Sequence, residues 1–287
     1  MTAQMPLTVA ILAPGAMGSA VASRLTGRGA SVVTVLTGRS PQTIGRAHAA
    51  GMRAVDEAQI GDVDILLSIM PPDQALQLAE RISPFLAAGA RKPIYADCNA
   101  VSPQTVVRIA KVIERAGCPF ADASIIGTPP RPGYDGPTFF ASGENADRLR
   151  ILSEYGLKVR VLDGPIGAAS ALKMCYGGIT KGLIAVGSAM LLSSVRAGVD
   201  EALLEELGAS QAHLLAGFSK SIPDMFSKAG RWVPEMDEIA AFLGRERAEG
   251  QMYEAMAGLY ARLASDQLRG REEIDMLDRL ARKHAAG

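Results

Sequence analysis

Leu7-Thr8-Val9-Ala10-Ile11-Leu12 is an apolar run that ends in a corner of small residues, Ala13-Pro14-Gly15-Ala16-Met17-Gly18. The run is short, partly β-branched and bounded by breakers, the pattern of a strand buried inside a parallel sheet. Beyond the corner, Ala16, Met17, Ala20, Val21 and Leu25 recur at spacings of one, three and four, which predicts a helix with one apolar face. Gly27-Arg28-Gly29 stops it. A second apolar run, Ser31-Val32-Val33-Thr34-Val35-Leu36, follows at the distance of a β-α-β unit and closes in Thr37-Gly38-Arg39-Ser40.

Glycines suit such a corner because bare backbone N–H groups approach a pyrophosphate there while the positive end of the helix dipole faces it. The pattern is Ala13-x-Gly15-x-x-Gly18, with alanine in the first glycine position, so Pro14, Gly15, Ala16, Met17 and Gly18 are the expected dinucleotide contacts. An acidic residue at the end of the second strand would hold the ribose hydroxyls of NAD and repel a 2′-phosphate. No Asp or Glu occurs between Met1 and Asp56; Arg39 and Ser40 stand there instead. A guanidinium beside a hydroxyl suits a phosphate, so NADP(H) is expected over NAD(H), the alternative for Arg39 being a solvated loop residue.

At 287 residues the chain has room for two domains. Thirty basic and thirty acidic residues balance, which excludes the electrostatic footprint of a nucleic-acid or anionic-membrane binder and leaves a small molecule as the expected partner. Cys98, Cys118 and Cys175 are odd in number and far apart, as in a reducing cytoplasm. His48, His213 and His284 are scattered, with no HExxH or CxxC, so no metal site is expected. The start of the chain has no Lys or Arg before Arg24, which argues against a signal peptide. The longest uncharged apolar stretch runs from Gly182 to Val195, shorter than the roughly 20 residues a bilayer span takes.

Farther along, Ser40-Pro41 starts a helix to about Ala50, and Ile65-Leu66-Leu67-Ser68-Ile69-Met70 reads as another buried strand closed by Pro71-Pro72. Ligands of open parallel sheets sit beyond the carboxyl ends of the strands, so Met70, Pro71 and Pro72 should meet the cofactor. Asp73 caps a helix through Ile82. Pro93 to Asp97 is a strand whose outlet carries Asn99, either a holder of a nicotinamide or substrate polar group or a plain turn residue. Ser102-Pro103 opens the next helix. Phe120-Ala121-Asp122-Ala123 is a short strand with a long Pro- and Gly-rich outlet, Ser124 to Pro137, of a length that is commonly functional. Thr138 to Ser142 and Val159 to Leu162 finish the sheet, around a helix from about Asn145 to Tyr155.

From Gly164 strand signals vanish. Helical spacing predicts helices over Ile166 to Arg196, Asp200 to Phe218, Pro234 to Arg247, Gln251 to Leu268 and Arg271 to His284. The expected architecture is an α/β domain of the Rossmann type with a mostly parallel sheet over residues 1–163, then an all-α domain over 164–287. In the first of these helices Ser170, Lys173, Gly177 and Thr180 form a polar stripe on an apolar background. A lysine there is costly unless paired or used, although a lysine that snorkels to solvent is the commoner case.

The glycine corner, the Met70-Pro71-Pro72 outlet, Asp122-Ala123-Ser124 and the stretch Gly164 to Lys173, in this order, resemble the β-hydroxyacid dehydrogenase family, which includes 3-hydroxyisobutyrate and 6-phosphogluconate dehydrogenases. Arg231-Trp232-Val233-Pro234-Glu235-Met236 makes the helical half most similar to a branch named after the phosphogluconate dehydrogenase C-terminal domain. The resemblance implies hydride transfer between the nicotinamide and a carbinol or carbonyl carbon. Lys173 matches the family lysine that acts as acid or base, in G-x-x-G-x-G-x-x-x-K-x-x-N with Ala169 for the third glycine. It also implies a homodimer through the helical domain.

Departures from the family pattern shape the rest of the expectation. Tyr176 stands in place of the asparagine and either acts in catalysis, by orienting substrate or as a second acid, or only packs. The family substrate loop D-A-P-V-S-G-G reads Asp122-Ala123-Ser124-Ile125-Ile126-Gly127-Thr128 here, with Ile126 where a serine helps hold a carboxylate; Ser124, Gly127 and Thr128 are the remaining candidates, the carboxylate cradle is incomplete, and a substrate other than 3-hydroxyisobutyrate is expected. Thr180 replaces the glutamate of decarboxylating relatives, so no decarboxylation is expected. Trp232 and Glu235, with Arg231, either line the substrate pocket, that of this chain or of a partner subunit, or are ordinary helix-start residues. Imine reduction, in relatives that usually lack the lysine, and a non-catalytic NADPH-binding sensor are the competing readings.

Overall fold

The computed structural model describes residues 6–131 and 133–285. Met1 to Met5, part of the start expected to lack a leader, lie outside the described residues, as does Pro132 of the long outlet. The chain divides into two compact units, Met1–Met174 and Cys175–Gly287.

The first unit is built on one eight-stranded sheet. Its strands are β1 (Thr8–Ile11), β2 (Ser31–Thr34), β3 (Arg53–Ala54), β4 (Ile65–Ser68), β5 (Ile94–Asp97), β6 (Phe120–Ile126), β7 (Thr138–Ser142) and β8 (Lys158–Val161). They lie in the order β3-β2-β1-β4-β5-β6-β7-β8. All pairings are parallel except β6 with β7, so the sheet is mostly parallel as expected. Alternate residues of β1 feed two cores: Val9 and Ile11 pack with Val21 and Leu25 on one face, and Ala10 packs with Leu78, Ile82 and Ile109 on the other. That double burial is why the strand carries apolar residues at consecutive positions.

Helices α1 (Ala16–Thr26), α2 (Pro41–Ala49), α3 (Pro72–Ala88) and α4 (Pro103–Arg115) cover the sheet. Ser40 and Ser102 cap α2 and α4, each accepting a backbone N–H three residues on at 3.3 Å. Asp73 is not a cap: α3 is capped at Pro71, and Asp73 lies in its first turn. The expected helix near residue 145 is a 3-10 run, Ala146–Ser153.

A 30-residue helix, α5 (Ala168–Ala197), passes from the first unit into the second. The division therefore falls inside this helix rather than near Asp163, because its first turn is hydrogen-bonded to β6 and β7. By length and composition α5 would suffice to cross a bilayer, which the 14-residue uncharged stretch does not convey. Of its most apolar window, 44% is buried inside the protein.

The second unit is helical, with α6 (Asp200–Ser210), α7 (Ala212–Phe226), α8 (Ala229–Leu243), α9 (Ala248–Leu268) and α10 (Glu272–Ala285) following α5. Gln211 breaks what reads in sequence as one helix to Phe218. Helix α8 starts at Ala229 and carries Pro234 inside it; the proline does not mark the start. Its fixed φ fits a helix, at the loss of one backbone hydrogen bond.

Candidate active site

The carboxyl ends of β1, β2, β4, β5 and β6 supply the expected site residues of the first unit. Gly15 is the N-cap of α1, with no side-chain cap and no acidic residue in the first turn. The first-turn N–H groups thus carry the unopposed positive end of the helix dipole. A Cβ on Gly18 would stand 2.2 Å from the Ala13 carbonyl oxygen, so only glycine lets the helix approach the strand. A Cβ on Gly15 would meet nothing within 4 Å; that bare approach is what a pyrophosphate requires. Ala13 in the first glycine position does no harm, since Arg271 is the only non-glycine with positive φ among the described residues. Pro14 is buried, Ala16 exposed and Met17 half-buried at this corner. The residues present fit a dinucleotide.

Two guanidinium groups flank the corner. Arg39 donates from Nη2 to the Leu12 carbonyl at 3.3 Å, and Arg46 donates from Nε to the Pro14 carbonyl at 3.3 Å. Arg46 had no signal in the sequence beyond being a helix residue; its contact bridges 32 positions. Ser40 is exposed, and its hydroxyl is engaged with Thr43 as the cap of α2.

At the β4 outlet Met70 is half-buried, Pro71 exposed and Pro72 buried. Asn99 is corrected. It is 2% exposed, and its amide is spent on protein: Nδ2 donates to Ser68 Oγ and Asp97 Oδ2, each at 2.9 Å, while Oδ1 accepts the Met70 N–H. It is the turn residue that ties the β4 and β5 outlets together, with no donor left over for a ligand.

The β6 outlet holds the lysine. Lys173, half-buried, donates from Nζ to the Ile125 carbonyl oxygen near the carboxyl end of β6. Next in line Ile126 is half-buried, and Gly127 and Thr128 are exposed. Gly127 has φ +128°, and a Cβ there would sit 2.9 Å from the Tyr134 hydroxyl, so this position needs glycine. Ser124 is fully buried, its Oγ without a hydrogen-bond partner among the described residues. Asp122, two residues earlier on the same face of β6, is fully buried as well. Burial pushes its carboxyl above the ordinary aspartate range, while hydrogen bonds from Ser170, Ser142 and Gly167 pull it back.

In the second unit Trp232 and Glu235 have partners within the helical packing. Trp232 is 8% exposed, with its ring edge-on to Tyr260 at 5.3 Å and the Lys181 ammonium 5.5 Å from its centroid. Glu235 forms an ion pair with Lys181, whose own carbonyl accepts the Tyr260 hydroxyl at 2.6 Å. Tyr176 is 50% exposed on α5, and the Thr180 hydroxyl donates to its carbonyl at 2.9 Å.

Residues 8–159 match the NAD-binding domain of 6-phosphogluconate dehydrogenase, just over half of the chain. The chain belongs to the β-hydroxyacid dehydrogenase family, whose members are NAD(P)-dependent oxidoreductases acting on CH–OH groups. Residues 195–263 match a domain of unknown function, DUF1932. An uncharacterized 28.5 kDa protein of Methanothermus fervidus is 30% identical over 215 residues, 74% of this chain and 81% of that protein. A solved conserved protein described as structurally similar to 3-hydroxyacid dehydrogenases is 29% identical, with a TM-score of 0.68 over 91% of this chain and 99% of its own. Mycobacterium tuberculosis 3-hydroxyisobutyrate dehydrogenase, solved with L-serine, shares the fold at 18% identity, with a TM-score of 0.69 over 92% of this chain and 95% of its own.

Proposed function

We propose that this β-hydroxyacid dehydrogenase relative is an NADP(H)-dependent oxidoreductase for a small hydroxy acid, semialdehyde or related oxo compound, with Lys173 as general acid and base. The observation that carries the reading is the Lys173 amino group near the carboxyl end of β6, in the same sheet whose β1 end bears the glycine corner. When bound, the nicotinamide supplies or takes the hydride. In reduction the Lys173 ammonium donates a hydrogen bond and then a proton to the substrate carbonyl oxygen; in oxidation the amine takes the hydroxyl proton. Gly127 and Thr128, exposed just beyond Ile126, are the loop positions open to a substrate. The buried Ser124 is not.

Preference for NADP(H) is supported by Arg39 and Arg46 beside the corner and by the lack of any carboxylate before Asp56. The experiment is a panel of hydroxy acids, semialdehydes and polyols followed at the NADPH absorbance band, with wild type and Lys173→Ala side by side. Turnover by wild type alone supports the assignment; equal turnover by both overturns the role of Lys173.

The same reading includes a homodimer in the cytoplasm. Tyr176, Ile179, Leu183, Val186 and Met190 lie 49–65% exposed along α5 at alternating spacings of three and four. That is a heptad seam, which a second copy related by a two-fold axis buries against itself. It favours the packing role for Tyr176. Light scattering tests it: wild type should be a dimer, and Leu183→Glu with Met190→Glu a monomer.

A further inference from the structure

A row of buried polar side chains crosses four strands in register: Ser68 on β4 opposite Asp97 on β5, Asp97 opposite Asp122 on β6, and Asp122 opposite Ser142 on β7. Placing polar groups in a buried row costs stability unless each is hydrogen-bonded. Asp97 receives the Asn99 backbone and side chain and so fixes the β5 outlet. Asp122 serves a different element. Its Oδ2 accepts Ser142 Oγ at 3.0 Å, the Gly167 N–H at 2.8 Å and the Ser170 N–H at 3.1 Å, and its Oδ1 accepts Ser170 Oγ at 2.8 Å. Ser142 Oγ in turn accepts the Ala169 N–H at 3.0 Å.

The N–H groups of Gly167, Ala169 and Ser170 belong to the start of α5, where a helix has no internal acceptors for its donors. Two side chains of the sheet supply the acceptors. Three residues beyond Ser170, on the same helical face, Lys173 donates to Ile125, three residues beyond Asp122 on the same strand. One segment of helix is therefore tied to one segment of strand at two points, the first a carboxylate and the second the lysine amine.

We propose that Asp122 is a positioning residue for Lys173: its carboxylate seats the first turn of α5 on β6 and β7, and this seating sets the amine at the β6 outlet. The functional weight of the proposal rests on Lys173 being the acid and base described above, but the seating itself does not.

Competitive acetylation by acetic anhydride, read peptide by peptide, tests it on the full chain. The labelling rate of Lys173 is measured relative to the exposed Lys111 and Lys220 in wild type, Asp122→Ala and Asp122→Asn, across a range of pH. In Asp122→Ala, Lys173 should label about tenfold faster and with a shifted pH dependence, one lost charge-assisted contact being worth at least that factor. The dissociation constant for NADPH should stay within about twofold, since none of the glycine-corner donors is touched. Asp122→Asn, whose amide oxygen still accepts, should fall between the two. Unchanged labelling in a folded Asp122→Ala overturns the proposal; should that variant fail to fold, unchanged labelling in both Asp122→Asn and Ser142→Ala does so. A chain that reduces nothing on the panel yet shows the labelling change fails as an acid and base while the positioning stands.

Discussion

Helix α5 carries two partly buried lysines in different settings. Lys181 meets a carboxylate, Glu235, and the face of Trp232, and its side chain is 15% exposed. Lys173 donates to a backbone carbonyl at the end of β6. The ion pair ties Lys181 to α8, whereas the carbonyl bond ties Lys173 to the sheet. The difference separates a lysine that joins helix to helix from one set at the outlet of a strand.

Exchanging each lysine for alanine sharpens that contrast. Lys173→Ala should lose about a thousandfold in kcat, the usual worth of a positioned acid and base, with its melting temperature nearly unchanged. Lys181→Ala should keep kcat and lose about 3 kcal/mol of stability, because Glu235 is left as an uncompensated, largely buried charge. Steady-state kinetics and urea melts check the pair, and a reversal of the two outcomes breaks the comparison.

Within the first unit, Gly18→Ala should cost about 2 kcal/mol of stability by forcing a methyl against the Ala13 carbonyl. Gly15→Ala should melt like wild type, the space around it being open, yet bind NADPH about tenfold more weakly. Arg39→Ala and Arg46→Ala should each weaken NADPH about tenfold and leave NADH alone, by loss of a charge-assisted phosphate contact. Equal weakening of both cofactors in the arginine variants, read by fluorescence titration, would contradict the NADP(H) assignment.

The smallest effect is electrostatic. Burial raises the Asp122 carboxyl in the folded chain, so the folded state favours the proton more than the unfolded state does. Its contribution to stability is present below the unfolded value and is lost as pH rises through the folded one. The unfolding free energy of wild type minus that of Asp122→Asn should therefore shrink as pH climbs from the aspartate range. A difference that widens with pH runs against it.

What was legible in the sequence was local. The glycine corner, its two strands and the helix between them are specified by runs and periods within the first forty residues, and Ser40 and Ser102 announce their helices by a cap followed by proline. Lys173 stood out through a motif on one helix. The rest depends on partners far away in the chain: Asp122 joins Ser170 across 48 positions, and Lys181 joins Glu235 across 54. Nothing near Asn99 told whether its amide would face a ligand or Ser68, 31 positions back. The division inside α5 was hidden for the same reason, since an unbroken helical pattern gives no hint that its first turn is anchored elsewhere.

The central claim is that the Lys173 amine itself moves the proton. Adding methylamine or ethylamine to Lys173→Ala during turnover tests it most directly. The account predicts partial recovery of kcat that grows with amine concentration while NADPH binding is unaltered. A variant as fast as wild type without amine, or one that binds NADPH and substrate yet gains nothing from any amine, would contradict it.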